Sequence, residues 1–216
     1  MLAEAYLSPT LPAVHPGDSA AQVLRLMEQH QTRHLAVIDE AERFLGITEK
    51  KENTDFPILS IIPGSEQLSV TGRQHIFDAL QIFYEHGLSI IPVVSENQRY
   101  LGTIGLEELA KCFAIMTGAE EKGDIIVLEM QKQDYSLTRL ASIVEAEQCK
   151  IIGVFIHPVP DSLDIYVTLK ITGYQLHSIV LSLERFGFKI AYTFSDQSYL
   201  LRSQDRYEIL MRFLAI

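Results

Sequence analysis

Apolar residues in this chain follow two spacings, one of helices and one of strands. Ala20, Val23, Leu24 and Met27 fall at i, i+3, i+4 and i+7, the mark of a helix with one buried face. Asp18 or Ser19 supplies an oxygen to cap it. Two short apolar runs follow, Leu35-Ala36-Val37-Ile38 and Phe44-Leu45-Gly46-Ile47, with the polar turn Asp39–Arg43 between them. Ile76, Ala79, Leu80 and Phe83 repeat the helical spacing, and Gly87 ends that helix. Ile90–Val94 and Tyr100–Ile104 read as the next two strands, and Leu106, Leu109, Ala110 and Phe113 open a closing helix.

The recurrence is a repeat. Shifting the chain by 56 residues lays Ser19–Glu52 over His75–Glu108 without a gap. Identities fall at Leu24/Leu80, His30/His86, Val37/Val93, Glu40/Glu96, Arg43/Arg99, Leu45/Leu101, Gly46/Gly102 and Glu52/Glu108. Each copy reads helix, strand, strand, helix. The phrases His34-Leu35-Ala36-Val37-Ile38-Asp39 with Phe44-Leu45-Gly46-Ile47-Thr48, and Ile90-Ile91-Pro92-Val93-Val94 with Tyr100-Leu101-Gly102-Thr103-Ile104, resemble tandem CBS domains. The resemblance implies a pseudo-symmetric pair over residues 1–117, with copy one about 1–55 and copy two about 56–117.

After a boundary at 114–123 the order becomes strand, helix, strand, strand, helix, strand. Ile125–Met130 and Lys150–Ile156 are apolar strands. His157-Pro158-Val159-Pro160-Asp161 reads as a hairpin connection. Ile165, Val167, Leu169 and Ile171 alternate with Tyr166, Thr168 and Lys170, so that strand buries one face. Leu137, Leu140, Ala141 and Val144, and then Leu176, Ile179, Val180 and Leu183, are helical stripes. Phe188–Thr193 is the last strand. Such an order builds an antiparallel sheet with two helices on one face. It resembles the ACT domain, and residues 124–216 are expected to form an ACT-like domain with a C-terminal helix carrying Tyr207, Leu210, Met211 and Leu214. The whole is expected to be an α/β (α+β) chain, a CBS-domain pair plus a ferredoxin-like βαββαβ domain, similar to acetoin utilisation type regulatory proteins.

Charge narrows the partners. Lys plus Arg number 18 against 28 Asp plus Glu, a formal net charge of −10. A nucleic-acid-binding chain needs a basic footprint, which is lacking. Cys112 and Cys149 have no metal-spaced partner and read as buried small hydrophobes of a reducing compartment. Met1–Thr10 has neither a basic start nor a long apolar run, and no stretch reaches membrane-spanning length. The expectation is a cytoplasmic protein with no membrane or nucleic-acid partner.

The resemblance also implies a site. CBS pairs commonly hold adenosine nucleotides between copies, using Gly, two residues, Thr or Ser, two residues, then Asp, with the carboxylate on the ribose hydroxyls. Here Gly46 leads to Glu49 and Glu52, and Gly102 to Gly105 and Glu108. Neither copy has the hydroxyl or the Asp. Two readings of Glu52 and Glu108 stand: ribose ligands, or residues favoured by the dipole at a helix start. Candidate ligand residues from the resemblance are His34, Leu35, Gly46, Ile47, Glu52, Ile91, Pro92, Gly102, Thr103 and Glu108, with AMP, ATP or S-adenosylmethionine as ligand. Arg43 and Arg99 sit in equivalent turns and read as solvated charge. In the ACT-like half, Asp134 and Tyr135 occupy the loop where that family carries Asp-x-Pro-Gly; Tyr135 falls where the Gly would be. Asp134 is expected to cap the following helix.

No P-loop, nucleophile elbow or HExxH occurs, so no catalytic residue or cofactor is assigned. The first expectation is a small-molecule-sensing regulatory module that controls a partner or its own oligomer. The second is an assembly module without ligand. The third is a metal-dependent enzyme at the hairpin of His157, Asp161 and Asp164; turn chemistry accounts for those carboxylates without a metal. One-faced sheets leave apolar surface to cover, so a homodimer is expected.

Overall fold

The computed structural model describes residues 1–50, 61–159, 162–172 and 175–195. Glu52, Pro160-Asp161 and the expected C-terminal helix lie outside them. The chain divides into two compact units, Met1–Phe113 and one that begins at Ala114.

The first unit is the repeat in three dimensions. Copy one contains β1 (Ala13–Val14), α1 (Ala20–Gln29), β2 (His34–Ile38) and β3 (Phe44–Glu49). Copy two contains β4 (Val70–Thr71), α2 (Ile76–His86), β5 (Ile90–Val94), β6 (Tyr100–Gly105) and α3 (Leu106–Met116). Each copy forms a three-stranded sheet, β1-β2-β3 and β4-β5-β6, with the first pair parallel and the second antiparallel. The registers superpose at the same offset: Val37 pairs with Gly46, and Val93 with Gly102. Both ladders slip one step later, between Val37 and Ile38 and between Val93 and Val94. Even the left-handed residues of the two turns correspond, Glu42 at φ 59° and Gln98 at φ 61°.

The helices form where the apolar spacing places them. Ser19 accepts from the Gln22 amide and caps α1, while Val23 and Met27 turn inward onto Val14, Leu35 and Val37. Gly87 closes α2 in the left-handed region at φ 60°. The strands β2 and β5 are buried along their whole length. Burying each such Leu, Ile or Val contributes about 1.5–3 kcal/mol.

The copies interlock. The turn beside Arg43 meets the turn beside Arg99: Phe44 N–H donates to Gln98 O (3.2 Å) and Tyr100 N–H donates to Glu42 O (2.8 Å). Arg99 clasps the Glu42 carboxylate at 3.0 and 2.6 Å. Arg99 thus reaches across the copies while its side chain stays 67% exposed, which keeps the expected solvated charge at that turn. Each copy's leading segment also packs on the other copy. Residues 3–6 form a 3-10 turn against copy two, with Ala3 N–H on Gln74 O and Ser8 N–H on Thr103 O. Ile62 N–H donates to Ile47 O, and Ser65 Oγ accepts from Ile47 N–H at 2.8 Å.

The second unit runs β7 (Asp124–Gln131), α4 (Leu137–Ala146), β8 (Lys150–Pro158), β9 (Asp164–Thr172), α5 (Leu176–Arg185) and β10 (Lys189–Phe194). All pairings are antiparallel in the order β10-β7-β9-β8, and Ile126, Leu128, Leu140, Val144, Val167, Leu169, Ile179 and Leu183 make its core. This is the ferredoxin-like βαββαβ topology. His157 and Pro158, expected in the hairpin connection, instead extend β8, where His157 pairs with Tyr166. Asp134 does not cap α4. It ends a 3-10 turn, and Ser136 supplies the cap oxygen to Arg139 N–H. A serine directly before the first helical residue reaches those amides better than a carboxylate two residues earlier.

Gly46 tests this packing. It stands at φ 149°, and an added Cβ would collide with Ile61 Cγ2 and lie 2.8 Å from Ser65 Oγ. Gly102, at φ 151°, would bring its Cβ to 3.1 Å from the far end of the Leu7 side chain. Gly46→Ala is expected to lower unfolding stability by about 2 kcal/mol or more, and Gly102→Ala by less. Urea denaturation of both variants checks the order.

Candidate functional site

Between the copies, at the N-terminus of α3, lies a cleft of about 220 Å³. Three pieces of chain build its walls. The segment pinned on β6 supplies Ser8, Thr10 and Leu11; the end of α1 supplies His30, Gln31 and Thr32; copy two supplies Ser89 and Gly105 to Glu108. Gln31 reaches its place through a left-handed φ of 49°, which turns the chain out of α1 and into β2.

The hydroxyls beside this cleft are organised by His34. Ser89 N–H donates to His34 Nδ1 (3.1 Å), so the ring proton sits on Nε2, 3.6 Å from Glu49 Oε1. Thr32 Oγ1 donates to His34 O (3.0 Å) and lies 2.8 Å from Ser89 Oγ. Arg33 N–H and its guanidinium bind Ser89 Oγ and Gly87 O. Burial pushes the His34 pKa below 6.5, the Glu49 carboxylate opposes that, and the Arg33 charge adds to it. His34 is thus a buried, neutral tie between copies.

The start of α3 is acidic. Glu108 Oε2 accepts from Gly105 N–H at 3.2 Å, reaching back three residues to the end of β6. The capping reading of Glu108 is what the geometry displays. A carboxylate keeps further lone pairs for other donors, and Glu108 also lines the cleft. Glu107 binds Lys111 Nζ at 2.6 Å; this hydrogen bond and the Lys111 charge hold its carboxyl below the usual range.

The other sequence-derived positions divide sharply. Leu35, Ile47, Ile91 and Pro92 are buried strand residues of the core. Thr103 is buried with its Oγ1 2.6 Å from Tyr100 OH. Gly46 is covered by Ile61 and Ser65, and Gly102 by Leu7. In the second unit, Asp134 is exposed and Tyr135 packs against that unit's core. Of the candidates that are described, Glu108 is the one whose side chain borders the cleft. Sequence reasoning missed Ser8, Thr10, His30, Gln31, Thr32 and Ser89 as wall residues. A signal existed: residues 30–33 are the repeat equivalents of 86–89, and equivalent loops meet at a two-fold axis. The second unit has its own groove of about 310 Å³ between α4 and α5, bordered by Arg139, Glu147, Ser182, Arg185 and Phe186.

His34 generates a pH prediction. Unfolded histidine titrates near 6.5, and the folded residue titrates lower, so protons favour the unfolded chain below that value. The contribution is complete above pH 6.5 and is lost as the pH falls. The urea midpoint is expected to drop from about pH 7.5 to about pH 5.5. His34→Asn, whose amide oxygen can take the Ser89 N–H, is expected to flatten that drop.

Residues 3–51 and 62–115 match the CBS domain. The chain is 24% identical over 106 residues to a 17.7 kDa protein encoded in the bps2 3′ region of Acidianus ambivalens, covering 45% of this chain and 64% of that one. It is 20% identical over 144 residues to an inosine-5′-monophosphate dehydrogenase of Methanocaldococcus jannaschii, covering 62% of this chain and 28% of that enzyme. The chain thus spans less than two thirds of either relative's length. Among solved structures, a CBS domain pair/ACT domain protein from Thermotoga maritima aligns at 25% identity and a TM-score of 0.47, over 53% of this chain and 98% of that one. Among the described residues, no helix is long and apolar enough to cross a membrane. The interlocked copies of the first unit are a tandem pair of CBS domains.

Proposed function

We propose that this chain is a cytoplasmic regulatory module whose CBS pair holds an adenosine-containing small molecule in the cleft at the start of α3. Occupancy would bias the orientation of the second domain, and so control a partner or the chain's own oligomer. The observation that carries this reading is the placement of Glu108. Its carboxylate borders a cleft walled by both copies, at the position where the CBS resemblance puts the ribose-binding acid. Ser8, Thr10, Thr32 and Ser89 add hydroxyls around it.

Domain roles accompany this reading. Residues 1–117 act as the sensor, and residues 124–216 as an ACT-like transmitter of the acetoin utilisation type, which its ferredoxin-like topology supports. Asp134 and Tyr135 are weak candidates for an amino-acid site, because the Tyr135 side chain is committed to the core. The chain acts as a homodimer. Phe155, Tyr192 and Phe194 leave apolar area on the second unit's sheet, in keeping with an interface there.

A second reading, an assembly module without ligand, is favoured by Gly105. That position lacks the hydroxyl that the CBS pattern carries. Thermal shift with AMP, ATP, S-adenosylmethionine and amino acids separates the two. A bound adenosine ligand at 100 times its Kd is expected to stabilise the fold by about 2.7 kcal/mol, several degrees in Tm. No shift with any adenosine compound would leave the assembly reading. Light scattering is expected to give twice the chain mass, and a monomeric mass at micromolar concentration would remove the oligomer part of the proposal.

A further inference from the structure

The cleft's chemistry narrows the ligand within the adenosine class, and this narrowing rests on the adenosine reading of the same cleft. Glu107 and Glu108 both line the cleft, and no Lys or Arg is among its described wall residues; His30 is the one basic side chain there. The nearby ammonium of Lys111 is already engaged by Glu107. The place of the missing hydroxyl is filled as well. A Cβ at Gly105 would stand 2.8 Å from Glu108 Oε2 and 2.8 Å from Leu11 Cδ1. The described walls therefore offer a phosphate no Lys or Arg, and the end where the repeat pattern would present a hydroxyl is shut by a carboxylate and a leucine. Leu106, 57% exposed at the rim, offers apolar surface for a purine face.

We propose that this cleft selects a nucleoside without phosphate, neutral or positively charged at its 5′ end, and rejects nucleotides. Glu108 accepts hydrogen bonds from the ribose diol. The Glu108 carboxylate repels a phosphate and favours a cationic 5′ substituent, while the charge of Glu107 is offset by Lys111.

Isothermal titration of the full chain with adenosine, S-adenosylmethionine, AMP and ATP tests this. S-adenosylmethionine carries a net positive charge, and AMP and ATP carry increasing negative charge. At low salt, adenosine and S-adenosylmethionine are expected to bind, AMP on the order of tenfold more weakly, and ATP more weakly still. Added salt is expected to narrow the gap. Glu107→Gln, which frees the Lys111 ammonium, should shrink the ratio of adenosine to AMP affinity, and Glu107→Lys should shrink it further. AMP or ATP binding more tightly than adenosine at low salt would overturn the selectivity and leave the adenosine reading standing. An unchanged ratio in both Glu107 variants would also overturn it. Binding by none of the four compounds would overturn both.

Discussion

The first unit depends on one constraint: two equivalent turns must meet back to back. Glu42 and Gln98 both sit in the left-handed region, and this aims each turn's carbonyl at the amide of the other copy. The two resulting bonds, Tyr100 to Glu42 and Phe44 to Gln98, are each other's repeat equivalents. The Glu42–Arg99 ion pair adds to them, but both side chains are more than half exposed. Its share is about 0.2–1 kcal/mol. Register, more than strength, is what this contact supplies. Once the turns are aligned, the bulges, the buried strands and the exchanged leading segments fall into place at a constant offset.

Much of this is legible in the chain itself. A helix whose apolar residues recur at i, i+3, i+4 and i+7 has few other ways to bury Val23 and Met27. The alternation of Ile165, Val167, Leu169 and Ile171 with Tyr166, Thr168 and Lys170 fixes which face of β9 is inside. The two-residue strands β1 and β4 are not legible, because two residues carry no period. His157 and Pro158 read as a turn from their company of prolines, yet the ladder with β9 holds them extended. Pairing across strands outweighs local turn preference there.

The site is harder to read than the fold. The candidate phrases around Leu35, Ile47, Ile91 and Thr103 are the strand cores of the copies. They mark the fold because they are buried within the strands of each copy. Wall residues such as Gln31, Thr32 and Ser89 are polar loop positions with no periodicity of their own. Their role exists only after the copies are paired. His34 lies between these cases: a buried histidine at a strand start, whose partners Ser89 and Glu49 come from two different elements.

The segment from Leu2 to Leu11 belongs to two structures at once. It covers Gly102 through Leu7, ties to β6 through Ser8, and walls the cleft through Thr10 and Leu11. Packing and recognition therefore draw on one short stretch of chain and cannot drift independently. A substitution that reshapes the cleft from this side also loosens the clasp between the copies. On the adenosine proposal, changes of preferred ligand within a lineage should then arise first on the α3 side, where Glu107 is free to vary without disturbing how the halves hold together.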